Sequence, residues 1–138
     1  MYDIERIGKI IADINKYYKD LGSYKISTAN DLHESKTYNA SSMVVFTILN
    51  RTIDLGSEII SAENLGAPDT YHDIMPILSK AGVMNNEQAG RLNKLIRKRN
   101  VLANFYEDMN EKELFKTVRE VSKVLDFIEI VKKRIKVD

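Results

Sequence analysis

Apolar side chains recur at helical spacing along most of the chain. Ile4, Ile7, Ile11, Ile14, Tyr18 and Leu21 fall three or four positions apart, the period of one helix face. Gly22 follows as a C-terminal stop. Residues 23–37 are polar and read as a loop with a helical turn. From about Tyr38 to Ala62 two stripes overlap: Met43, Phe46, Leu49, Ile53 and Ile60 on one, and Val45, Ile48, Leu55 and Ile59 on the other. Apolar residues on two faces predict a central helix packed from both sides.

Both prolines, Pro68 and Pro76, lie between residues 66 and 77, so long stretches on either side are uninterrupted. Thr70 with Asp73 forms a capping pair for a short helix that runs to Ala81 and closes at Gly82. A fourth helix is expected from Asn85 or Asn86 to about Phe105, with Ala89, Leu92, Ile96 and Ala103 inward. Asn110 with Glu113 is a further capping pair. Beyond it Leu114, Val118, Val121, Leu125, Ile128 and Ile135 trace a heptad-like stripe to the C-terminus. These periods predict an all-α bundle of four or five helices.

Composition narrows the chemistry. The 138 residues fit a single domain over 1–138, with 43% hydrophobic and 30% charged residues. Such a chain is neither disordered nor membrane-spanning. The N-terminus lacks the basic start and apolar run of a signal peptide, and no apolar run is long enough to cross a bilayer. A cytoplasmic protein is expected. Cysteine is absent, which removes disulfides, thiolate nucleophiles and thiolate metal sites. With only His33 and His72, there is little for a multi-histidine metal centre. Both histidines read as solvated surface residues.

A net charge of +1 conceals a local cluster: Arg91, Lys94, Arg97, Lys98 and Arg99 place five cations in nine residues. Arg97-Lys98-Arg99-Asn100-Val101-Leu102-Ala103-Asn104-Phe105-Tyr106 adds amides and a phenol to that basic helix. A guanidinium binds phosphate oxygens in a fork, so this run suits phosphate. The plainer reading is a solvated basic face.

Residues 99–106, Arg-Asn-Val-Leu-Ala-Asn-Phe-Tyr, resemble the R-x4-H-x-Y signature of HepT-like toxins in the HEPN superfamily, with Asn104 where the histidine belongs. Ile53-Asp54-Leu55-Gly56-Ser57-Glu58-Ile59-Ile60, Tyr71-His72-Asp73-Ile74 and Leu78-Ser79-Lys80-Ala81-Gly82-Val83 resemble the segments that precede that signature. The resemblance implies a HEPN-like helical fold and the toxin of a type VII toxin–antitoxin system. Its activity would be metal-independent cleavage of RNA, with no cofactor. It further implies a homodimer, neutralised by a minimal-nucleotidyltransferase (MNT) antitoxin, with larger assemblies of the two open. Arg99 would hold the scissile phosphate, Asn100 matches the polar position beside it, and Tyr106 would be the adenylylated residue. Lys94, Arg97 and Lys98 would extend the RNA-binding surface.

Asn104 departs from the signature. Metal-free cleavage needs a group that takes the proton from the ribose 2′-hydroxyl, and histidine can because it titrates near neutrality. An asparagine amide hydrogen-bonds but has no such protonation step. Binding is therefore expected to survive and most cleavage to be lost. Either the residue marks a degenerate member, or it was substituted so that a toxic protein could be produced. The intact Arg99, Asn100 and Tyr106 favour the second. Two other readings stand beside the toxin: a non-catalytic partner and substrate of a nucleotidyltransferase, and a plain helical oligomerisation domain.

Several other residues have bland expectations. Asp54 and Glu58 share a helix face and should pair with the cationic helix, the alternative being that they orient Arg99. Lys132, Lys133, Arg134 and Lys136 read as a solvated helix end, the alternative being more RNA surface. Tyr17, Tyr18 and Tyr24 could stack on bases, but Tyr18 lies on the apolar stripe.

Overall fold

The structure, a computed structural model, describes residues 1–103 and 109–137. Its helices are α1 (Ile4–Ser23), α2 (Ser35–Glu63), α3 (Ile74–Lys80), α4 (Asn86–Ile96), α5 (Lys98–Ala103), α6 (Glu111–Glu120) and α7 (Ser122–Val137). Short 3-10 turns at Ala29–Leu32 and Tyr71–Asp73 precede α2 and α3. No strand occurs among the described residues. A single residue separates α4 from α5 and α6 from α7, so the segments form five rods. The all-α bundle read from the periods is what the chain adopts.

Local chemistry sets most boundaries. Asp3 accepts from the Arg6 amide at 3.0 Å and starts α1. That helix runs past Gly22 to Ser23 before it stops. Its buried face is Ile7, Ile10, Ile14 and Leu21, whereas Ile4 is 58% exposed. Antiparallel to it lies α2, as Tyr2–Glu63, Arg6–Glu58 and Arg51–Asp13 contacts show in turn. As expected of a central helix, α2 touches α1, α3, α4, α5 and α6. Val44, Val45, Ile48, Leu49, Leu55, Ile59 and Ile60 are buried, but Met43, expected on a buried stripe, is 61% exposed. The helix ends at Asn64 in the left-handed conformation, φ 53°.

The loop after α1 contains a device that repeats the Thr70–Asp73 pattern. Asp31 accepts from the amides of Ser27 at 2.7 Å and Thr28 at 2.9 Å, and these bonds hold its carboxyl below the ordinary range. This turn buries Leu32 beside Met109 and Leu114 in a second, smaller core cluster. Asn85 caps α4, accepting from Gln88 at 2.8 Å, and Asn110 caps α6, accepting from Glu113 at 2.8 Å.

Two expected long helices are interrupted. At Arg97 the turn tightens, with the Asn100 amide reaching the Arg97 carbonyl at 3.4 Å, and the register advances. Ala103, expected inward, is therefore exposed. A similar tight turn at Val121 separates α6 from α7, where the Val124 amide bonds the Val121 carbonyl at 2.9 Å. Among the described side chains of α7, Val124, Phe127, Ile128 and Val131 are buried. Leu125 and Ile135 are half-buried. Among the described residues no helix is long and apolar enough to cross a membrane.

Candidate functional site around Arg99

Arg99 sits on α5 and reaches back to α2 and to the turn before α3. Its Nε donates to Oδ1 of Asn50. The guanidinium carbon lies 5.2 Å from the ring centroid of Tyr71 and 5.6 Å from that of Phe46, within the range of cation–π attraction. Phe46 and Asn50 are four residues apart and share a face of α2. Tyr71 is delivered by the Thr70 cap, where Asp73 accepts from the Thr70 amide at 3.2 Å. Arg99 is half-buried, so these contacts are partly shielded from water.

His72 does not meet its expectation. It is half-buried, its ring tilted 33° against Tyr71 at a centroid distance of 4.1 Å. The Nδ1 of His72 and the hydroxyl of Tyr71 are buried and find no hydrogen-bond partner among the described residues. His33, by contrast, is exposed and faces Glu111 at 3.1 Å, as a surface histidine should.

The basic run does not form one uniform patch. Lys98 turns the other way from Arg99, bonding Glu113 of α6 and holding that carboxyl below its ordinary range, chiefly through this hydrogen bond. Arg91 pairs with Glu87 one turn earlier. Lys94, Arg97 and Asn100 are exposed. Asn104 and Tyr106 lie outside the described residues.

Asp54 and Glu58 do not reach the cationic helix. Asp54 bonds Arg51 at 3.1 Å, Arg51 also reaches Asp13 at 2.5 Å, and Glu58 pairs with Arg6 of α1. Both carboxylates face the α1 side of α2, whereas Asn50 is the group that meets Arg99. At the C-terminal end Arg134 is half-buried and paired with Glu63, while Lys133 and Lys136 are exposed. Tyr17, Tyr18 and Tyr24 pack on the main core.

Phe46, Asn50 and Tyr71 are the residues that sequence reasoning missed. Asn50 had one signal, an uncharged amide within the apolar run of α2. A cleft of about 700 Å³ opens between Leu32, Tyr38, Met109 and Glu111 and includes neither Arg99 nor its three holders. Among the described residues no group of three or more His, Asp or Glu side chains is placed to hold a metal ion.

The fold and this held arginine define a small helical protein that presents a guanidinium from a short helix after a tight turn. Residues 7–133 match the family model described as Ribonuclease HepT-like, and the chain belongs to that HepT-like family. No curated protein sequence matches it significantly. Solved structures share the HEPN fold at low identity. A chain of a toxin–antitoxin crystal structure with AMP-PNP is 17% identical with a TM-score of 0.85, over 92% of this chain and 97% of that one. The tri-AMPylated Shewanella oneidensis HEPN toxin in complex with MNT antitoxin is 19% identical, TM-score 0.85, over 96% and 99%. YutE, a cytosolic protein of unknown function from Bacillus subtilis, is 22% identical, TM-score 0.84, over 99% and 94%.

Proposed function

We propose that the chain is the toxin of a type VII toxin–antitoxin pair: one HEPN domain over residues 1–138, acting in the cytoplasm as a homodimer on RNA. The observation that carries this reading is the family match over residues 7–133 together with the retained, held Arg99. A protein of the same fold is a HEPN toxin in complex with MNT antitoxin, which supports an MNT-type nucleotidyltransferase as the partner. Arg99 would grip the phosphate that gains charge during cleavage. A preoriented donor of this kind is worth about 10²–10³-fold in rate. Exposed Lys94 and Arg97 would add diffuse attraction to the RNA backbone. Asn100 would hydrogen-bond near the same phosphate.

Cleavage itself would be impaired. Asn104 can hold a ribose or phosphate oxygen but cannot accept the 2′-hydroxyl proton, and that loss is worth about 10²–10⁴-fold. The Asn104→His variant should cleave RNA and arrest growth when expressed. A histidine variant inert on a broad RNA panel and harmless to cells would sink the enzyme reading.

The missing base at position 104 also favours a second reading, in which the chain is a non-catalytic substrate of its nucleotidyltransferase, modified on Tyr106. Incubation with that enzyme and ATP should then add AMP by mass, and Tyr106→Phe should abolish the adduct. An adduct that survives Tyr106→Phe would count against it.

A further inference from the structure

We infer that Asn50 is a positioning residue for Arg99, and that it is an amide because a carboxylate there would disarm the arginine. The inference rests on the reading that Arg99 receives a phosphate. Asn50 Oδ1 accepts the Nε–H of Arg99, while Tyr71 and Phe46 lie against the guanidinium at 5.2 and 5.6 Å. These three side chains come from α2 and the turn before α3, so the arginine on short α5 is held by parts of the bundle outside its own helix.

Two chemical consequences follow. An arginine can meet a phosphate side-on, through Nε and one Nη, or end-on, through both Nη groups. With Nε engaged by Asn50, the end-on fork is the one directed at the ligand. The second consequence concerns charge. An amide oxygen accepts the hydrogen bond without cancelling the positive charge, and the neighbouring rings supply attraction without a counter-ion. Asp54 and Glu58, the nearby acids of α2, are turned to Arg51 and Arg6. Among the described residues no acid pairs with Arg99, so the cation keeps its charge for an incoming anion. An aspartate at position 50 would keep the geometry and compete with the phosphate.

Two readouts test this. The first is the NMR resonance of the Arg99 Nε–H, assigned by its loss in Arg99→Lys. It should be displaced by the two rings in the parent protein, move toward the position of a free arginine in Asn50→Leu, and persist in Asn50→Asp. A resonance unmoved in a folded Asn50→Leu protein would overturn the inference. The second is affinity for a labelled oligouridine. Asn50→Leu should weaken binding about tenfold when Arg99 is present and not at all in an Arg99→Ala background. Asn50→Asp should weaken it at least as much and lower the salt dependence by about one phosphate contact, as Arg99→Ala does. Equal losses from Asn50→Leu with and without Arg99 would show a merely structural role. If Arg99→Ala leaves RNA affinity unchanged, the phosphate reading fails, while the resonance still decides whether Asn50 holds the arginine.

Discussion

Arg134 grips Glu63 with both edges of its guanidinium: Nε donates to Oε2 at 2.7 Å and Nη2 to Oε1 at 2.6 Å. Tyr2 donates its hydroxyl to the same Oε2, and the Met1 ammonium reaches the Ala62 carbonyl at 3.1 Å. One carboxylate thus ties α2 to α7 and to the residues before α1.

That knot makes stability depend on pH in one direction. The Arg134 hydrogen bond, helped by Tyr2, holds the Glu63 carboxyl below its ordinary range. A folded pKa below the unfolded one gives stability that is present above the unfolded value and lost as pH falls through the folded one. Glu63→Gln should cost about 1–2 kcal/mol at neutral pH. Urea melts across pH should show the gap to the parent closing below about pH 4. A gap independent of pH would mean that the ion pair is not its source.

Gly56 sits where α3 meets α2. A methyl added there would come within 2.5 Å of Ile74 Cγ2, next to the backbone of a β-branched residue that has little room to yield. Replacing a helical glycine by alanine ordinarily stabilises by about 0.5–1 kcal/mol. At Gly56 the sign should reverse, with a loss of about 1–3 kcal/mol from overpacking. Thermal melts of Gly56→Ala, with Gly90→Ala as the open-space control, check this.

Arg97 and Lys98 are neighbours with opposite expectations. Arg97 is exposed and Lys98 is tied to Glu113. Arg97→Ala should therefore reduce RNA affinity and salt dependence and leave the melting temperature in place. Lys98→Ala should have the smaller effect on the salt slope. It should lower stability by up to about 1 kcal/mol, because the pair is partly exposed. Equal salt slopes for the two variants would show that Lys98 leaves Glu113 when RNA binds.

The Asn85 cap offers a plain check on how the fourth rod begins. Its side chain accepts from the Gln88 amide at 2.8 Å, and Gln88 Oε1 accepts in turn from the Asn85 amide at 3.1 Å. Asn85→Ala should cost about 1 kcal/mol and Asn86→Ala much less, by denaturant melts.

What could be read from residues alone was local. Thr70–Asp73, Asn85 and Asn110–Glu113 announce helix starts within four positions, and each is a cap in the structure. The Thr28–Asp31 turn has the same grammar, but no apolar stripe follows it closely to mark a helix start. The breaks at Arg97 and Val121 carry no glycine or proline, so periodicity ran through both. Arg99 was legible as a chemical group, but its holder was not. Asn50 is 49 positions away, and only the packing of α5 on α2 brings the two together. Asp54 and Glu58 were the expected partners by charge; Arg51 and Arg6 claimed them first.

Helix α5 buries no side chain fully. A six-residue helix has little stability of its own. Lys98–Ala103 should therefore be a segment that opens and closes while the rest of the bundle stays folded. Hydrogen exchange would measure that opening through its amides, which should exchange far ahead of those of α2. Loss of Asn50 should hasten them further. The strength with which α2 holds one arginine then also fixes the fraction of time in which the segment bearing it is assembled.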